Sequence, residues 1–493
     1  MGPYGRPVPD PLVRRTWVTG LILVSLAMGG AGCQNASAYE PGARSAADPL
    51  SPGVGNGGYD VSHYGLDLRY TPSTGVLSGT ATISMTATQD LSSFSLDLRG
   101  MRVSAVRVGG VAAAFEHPRG KLIVTPATGI DRAAGFTVAI TYSGKPGPLL
   151  TRGGDTGWLH TSRGALALGE QEGADTWFPA NDRPGDKARF DVSMSVPNGL
   201  TAISNGLLAR GVPAAETGGA GYRRWTWHQD LPQATYVVAM VIGKFDYKPS
   251  EITLDTEGGG TQTLPLYNFV DSTFSPRQKA AIGRMLRTQR AILDRFIARF
   301  GDWPFSSVGA IVVRTPRLGD DDSMETQGIP TLPVPAGSSQ TPSWSTFAHE
   351  YAHQWFGDAV TPGAWADLFL NEGWARFGEI YNAELAGPPF DLPSLKPSGS
   401  WRVPPGRPPG PDDLFTDSVY DRSARGLEVL RHAVGDATFF KIAHDWIAQN
   451  RYGNATHADF LDLVARDVAG SGRGAAFDVP RWFSHWFYDR GKP

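Results

Sequence analysis

The chain has 493 residues, a net charge of −3, 41% hydrophobic residues and a single cysteine. That length exceeds one compact core and predicts two or three domains. The small net charge gives no electrostatic ground for a nucleic-acid partner, and one cysteine leaves no internal disulfide, so packing must hold the fold together.

Residues 1–33 read as a signal peptide. Arg14 and Arg15 precede an apolar run from Trp17 to Met28, followed by small residues and Cys33. The run is short for a membrane span and suits a secretory signal. Gly30-Ala31-Gly32-Cys33 resembles the lipobox of bacterial lipoproteins, in which the cysteine is lipidated, with Gly30 where leucine is usual. The expectation is an exported protein, either attached to a membrane through Cys33 or secreted. Residues 34–57, rich in Ala, Ser, Gly and Pro, predict a flexible linker.

Residues 58–250 predict an all-β domain. Tyr64, Leu66, Leu68 and Tyr70 alternate with small or polar residues, as do Phe136, Val138, Ile140 and Tyr142. The continuous apolar run Tyr236–Ile242 predicts a strand buried on both faces. Turn clusters separate these runs, as in a sandwich.

Residues 251–493 change character. Ser275-Pro276 predicts a helix start, with a capping serine and a first-turn proline, and apolar spacing carries that helix to Phe300. Ile311–Val313 is a short strand. Then comes Thr346–Gly357, in which His349 and His353 are four apart and lie on one helical face with Glu350 between them. Two imidazoles so placed can grip one divalent metal, and Glu350 can reach a water there. Gly357 is the expected stop. Eighteen residues separate His353 from Glu372, which lies on a second helix expected over 364–385. Packed antiparallel, that helix returns Glu372 to the histidines as a third ligand. The competing geometry, with a third histidine six residues on, fails because Ala359 stands there. A proline-rich loop over 387–411 and a run of helices from Tyr420 complete the chain.

Four ordered stretches resemble the M1 family of zinc aminopeptidases. They are Glu170-x-x-Gly173-Ala174 with Trp177 to Ala188, then Met324-Glu325, then His349-Glu350-x-x-His353 with Asn371-Glu372-Gly373, and Val419-Tyr420-x-Arg422. The resemblance implies a multi-domain α+β fold, an N-terminal β sandwich or saddle followed by a thermolysin-like, mainly helical zinc peptidase domain. It also implies the short form, without the large C-terminal helical domain. One Zn2+ on His349, His353 and Glu372 is implied, with Glu350 as general base and Tyr420 as hydrogen-bond donor to the oxyanion. Glu170 and Glu325 would bind the free N-terminus of a peptide, and Leu168 and Met324 would line the first side-chain pocket. The alternatives are a thermolysin-like endopeptidase and a catalytically silent peptide-binding protein on the same fold. Asp322 and Ser323 stand where the family has Gly-Ala, Thr326 where it has Asn, and Ser423 where Gly is usual. These departures leave the preferred residue open.

Overall fold

The chain is described by a computed structural model covering residues 39–151, 154–213, 221–315, 323–388, 395–472 and 477–491. Cys33, the signal peptide and Asp322 lie outside the described residues.

Strand Tyr59–Thr71 shows how the sequence pattern becomes a sheet. Tyr59 and Val61 are buried, then the phase shifts, and Tyr64, Leu66, Leu68 and Tyr70 are buried. The register shift against strand Val76–Ala87 falls between Val61 and His63. One extra residue in a bulge moves the buried set from odd to even positions. This strand sits inside an eight-stranded sheet. Its spatial order is Leu207–Pro213, Tyr222–Gln233, Ala188–Pro197, Tyr59–Thr71, Val76–Ala87, Gly135–Gly144, Met101–Val108 and Val111–Ala112. Two smaller sheets share an apolar cluster with its inner face. One contributes Phe94, Leu96, Leu122 and Val124, the other Trp158, Met240 and Ile242.

The linker expectation fails from residue 39 onward. Glu40–Pro41 pairs with strand Leu91–Asp97, and Leu50, Val54 and Asn56 are buried. The segment is held by polar contacts that composition does not reveal. Asn56 Nδ2 donates to Asp97 Oδ2 at 2.8 Å, and Asp48 accepts from the Trp365 backbone N–H at 2.9 Å.

Tyr236–Ile242 is buried throughout, as expected, but only Met240–Gly243 is strand; Thr235–Val237 is a 3₁₀ turn. The run is apolar on both sides because it lies between two cores. Val238, Met240 and Ile242 face the sandwich, whereas Tyr236, Val237, Ala239 and Val241 join Tyr267, Phe269, Ile311 and Val313 of the next sheet. That sheet has five strands, Phe245–Asp246, Ser250–Asp255, Thr261–Asp271, Val308–Thr315 and Thr331–Pro335. Sequence reading found only part of the fourth.

The described residues form eight α-helices, α1 (Pro276–Leu286), α2 (Gln289–Phe300), α3 (Trp344–Ala352), α4 (Leu368–Ala386), α5 (Ser423–Val434), α6 (Asp436–Asn450), α7 (His457–Gly470) and α8 (Val479–Phe483). Ser275 caps α1 with Pro276 at its first position, as expected. The single helix expected to Phe300 is broken at Thr288, whose hydroxyl donates to the Met285 carbonyl at 2.6 Å and competes with the helical ladder.

The sandwich is tied to the helical part by Lys187. Its buried ammonium donates to the carbonyls of Asp358 at 2.7 Å, Ala359 at 3.3 Å and Gly453 at 3.4 Å. Burial pushes its pKa down to about 7, and Asp358 opposes that shift. Lys187→Met would leave three carbonyls without this donor. The expected cost is about 2 kcal/mol in urea unfolding at constant m-value; an unchanged midpoint would reject the tie.

Candidate metal centre

α3 starts where its sequence dictates, with Ser343 Oγ accepting from Thr346 N at 2.9 Å. It ends at Ala352, earlier than the expected Gly357, and a buried turn carries the chain onward. Aromatic packing fixes that turn. The Phe356 ring stacks on Trp374 of α4 at 4.5 Å and 7°, and Trp355 packs edge-on to Phe296, Phe300 and Trp303. Gly378 lets α4 approach α3 closely, since a Cβ there would lie 2.5 Å from Ala352 Cβ. Gly373 does the same towards α5, where a Cβ would meet Ser423 Cβ at 2.7 Å. The glycine of Asn371-Glu372-Gly373 is therefore a packing requirement, and Ser423, where the resemblance has glycine, fills the other side of that contact.

These contacts bring three donor atoms together. His349 Nε2 is 3.1 Å from His353 Nε2, and Glu372 Oε2 lies 3.3 and 3.4 Å from them. A tetrahedral ion with ligand bonds of about 2.0–2.1 Å needs ligand atoms roughly 3.3 Å apart. Glu372 Oε2 is buried with no hydrogen-bond partner among the described residues. Burial opposes its charge, but His353 and His349 outweigh that and hold the carboxyl ionised, with a pKa of about 2. His353 Nδ1 lies 3.0 Å from the Phe356 carbonyl, a contact that puts the proton on Nδ1 and leaves Nε2 free to ligate. The donor set thus fits one zinc ion.

Two residues that the sequence reading left without a role support this set. Glu379 lies seven residues after Glu372, two turns along one face of α4. Its Oε2 is 3.6 Å from His349 Nδ1 and 2.7 Å from Arg376 Nη1. Arg376 in turn contacts Asp421 at 2.9 Å. Gln354 is buried just past α3, its Nε2 donating to the carbonyls of Glu325 at 3.2 Å and Glu350 at 3.1 Å. It thereby joins the Met324-Glu325 segment to the histidine helix. The helical period signalled Glu379; nothing local signalled Gln354.

The other expected residues all line one cleft of about 460 Å³, namely Glu170, Met324, Glu325, Glu350 and Tyr420, with the three donor residues. Burial pushes the Glu350 carboxyl up to about 8, against the pull of His349 and His353. Tyr420 sits in a π turn, Ser418–Arg422, and its ring stacks on His349 at 6.0 Å and 25°. Burial and the charge of Glu372 push its phenol well above the usual range, so it keeps its proton. The turn is anchored by Arg422, fully buried, which donates to the carbonyls of Trp401, His485, Trp486, Asp489 and Gly491 at 2.6–3.1 Å. Glu170 and Glu325 each carry a buried Oε1 without a hydrogen-bond partner among the described residues. Burial, then the charge of Glu325, drives the Glu170 carboxyl well up. Two such acids lining one cleft call for a cation there.

The model of the Peptidase family M1 domain matches residues 334–486, and that of the Peptidase M1 N-terminal domain matches residues 60–237. Endoplasmic reticulum aminopeptidase 1 of Homo sapiens is 25% identical over 446 residues, which is 82% of this chain and 45% of that protein. Probable aminopeptidase 2 of Sulfurisphaera tokodaii is 28% identical over 334 residues, 62% of this chain and 39% of that protein. The chain spans less than half the length of these relatives. The crystal structure of the M1 zinc metallopeptidase from Deinococcus radiodurans is similar at 28% identity and a TM-score of 0.76, over 90% of this chain and 98% of that one. A mutant of that protein has been solved bound to a Tyr-Ser-Ala substrate.

A metal that binds only the folded chain stabilises it. Stripping with a chelator is expected to lower the melting temperature, and zinc at about a hundred times its Kd to restore about 2.7 kcal/mol. His353→Ala should abolish the recovery. Melting curves indifferent to zinc in the wild type would exclude the site.

Proposed function

Because the chain belongs to peptidase family M1, we propose that it is a zinc aminopeptidase that removes N-terminal residues from peptides by hydrolysis. The observation that carries this reading is the pair Glu170 and Glu325, two buried carboxyls with orphaned oxygens in the same cleft as the His349, His353 and Glu372 set. An ammonium satisfies both, whereas an acylated terminus leaves them unpaired.

Bound zinc supplies Lewis acidity, which polarises the scissile carbonyl and acidifies water. Glu350 takes a proton from the attacking water as its oxygen bonds to the carbonyl carbon. Glu350 then passes that proton to the leaving nitrogen as the peptide bond breaks. The Tyr420 phenol donates to the oxygen that gains charge. Gln354 and Glu379 position these groups.

A leucine amide with a free amine is expected to be cleaved about a thousandfold or more faster than its N-acetylated twin. Comparable rates on the two would favour an endopeptidase. Glu350→Gln should keep zinc and lower kcat by about 10²–10⁴; Tyr420→Phe should lower kcat by about 10²–10³ with KM little changed. A Tyr420→Phe enzyme of wild-type rate would reject the oxyanion role.

We further propose that the protein is exported and that Cys33 is lipidated, a reading supported by the apolar run from Trp17 and the residues before Cys33. Wild type should partition into detergent and Cys33→Ala into the aqueous phase; identical partitioning would reject lipidation.

A further inference from the structure

We propose that the cleft selects peptides whose first residue is lysine or arginine, with Asp155 receiving the cationic head of that side chain. This rests on the aminopeptidase reading and names its substrate class.

Strand Gly154–His160 runs antiparallel to Ala165–Leu168, with Gly157 opposite Leu168. Asp155 lies two residues from Gly157 on that strand, and Glu170 follows Leu168 by two residues, just past the end of its strand. Asp155 and Leu168 then share one face, because residues opposite each other, or two apart, point the same way. Asp155, Glu170 and Leu168 all line the cleft. The Thr156 hydroxyl holds this end of the pair, within hydrogen-bond reach of the Leu168 carbonyl at 2.9 Å and the Glu172 carbonyl at 2.8 Å.

Asp155 is thus the diagonal neighbour of Leu168, and such neighbours lie about 7–8 Å apart, within reach of a long side chain. With the α-ammonium on Glu170, a long side chain lying along the sheet reaches Asp155. Its path is apolar, since Leu168 and Met324 are buried in one cluster and both line the cleft. That floor suits the methylene stem of lysine or arginine, provided the charged end finds a partner. Asp155 is that partner, for its carboxylate makes no hydrogen bond or ion pair among the described residues, in contrast to Asp421, which is bonded to Arg376.

The charge of the cleft points the same way. Eight carboxylates line it against one guanidinium, and that one, Arg376, is committed to Glu379 and Asp421. Glu325, almost wholly buried, aims an unpartnered Oε1 into the same space. Even with a divalent ion and a bound α-ammonium, the cleft stays negative. A cationic side chain is attracted and an acidic one repelled.

The test compares kcat/KM of the zinc-loaded enzyme on anilides of arginine, lysine, leucine, methionine and glutamate. Arginine and lysine are expected to exceed leucine by about tenfold, the scale of one charge-assisted hydrogen bond, with glutamate the poorest. Asp155→Asn should lower the arginine-to-leucine ratio about tenfold, mainly through KM, and Asp155→Glu should restore most of it. Asp155→Lys should raise glutamate relative to arginine. Melting curves of each variant check that it is folded. Leucine or methionine favoured over arginine in the wild type overturns the proposal while sparing the aminopeptidase reading. So does an unchanged ratio in Asp155→Asn, or a loss of preference in Asp417→Asn instead, which would put the receiving carboxylate on the opposite wall. No turnover of any free amine sinks both.

Discussion

Three ligand atoms 3.1–3.4 Å apart on largely buried side chains are the constraint on which the rest of this structure depends. Two imidazole nitrogens and a carboxylate oxygen that close need a positive charge between them. Burial raises the cost of leaving them unpaired, because water can no longer solvate the carboxylate. The surrounding chemistry follows from the same crowding. Burial raises the Glu350 carboxyl against the pull of His349 and His353, and Tyr420 is kept neutral beside His349.

Holding such a cluster requires stiffness, and the fold supplies it by close packing. The Phe356–Trp374 stack and the bare backbones at Gly373 and Gly378 lock α3, α4 and α5 at short range. The sandwich contributes more than bulk. It brings Glu170 to the cleft and reaches across to the helical part through the Lys187 ammonium. Charged groups are used here as fixed points at the junction between layers, where each is matched to backbone carbonyls or to an opposing charge.

How much of this was legible in the sequence depended on whether the signal was local. The spacing of His349, Glu350 and His353, the cap at Ser275 and the return of Glu372 could be read because helical period and capping are short-range rules. The break at Thr288 could not, since one side-chain hydrogen bond decides it. The run from Tyr236 betrayed its burial but not its turn, because two cores claim alternate residues of it. Residues 39–57 have the composition of a linker and the contacts of a packed segment, made through Asp48, Ser51 and Asn56 as well as through buried Leu50 and Val54. Gln354 acquires its role from the loop around Glu325 and Gly328, distant in sequence, so no window around it could have revealed that role.

Arg422 draws four of its five acceptors from residues 485–491, within the last turn and tail of the described chain. Its guanidinium is a clamp whose jaws close on the far end of the described residues, two positions from the Tyr420 phenol. Trimming that end would strip a sunken cation of most of its acceptors and loosen the segment that aims the phenol. Residues 485–491 are in this sense a splint for the turn that holds Tyr420, and protease damage there would be felt in the cleft rather than at the surface where it occurred.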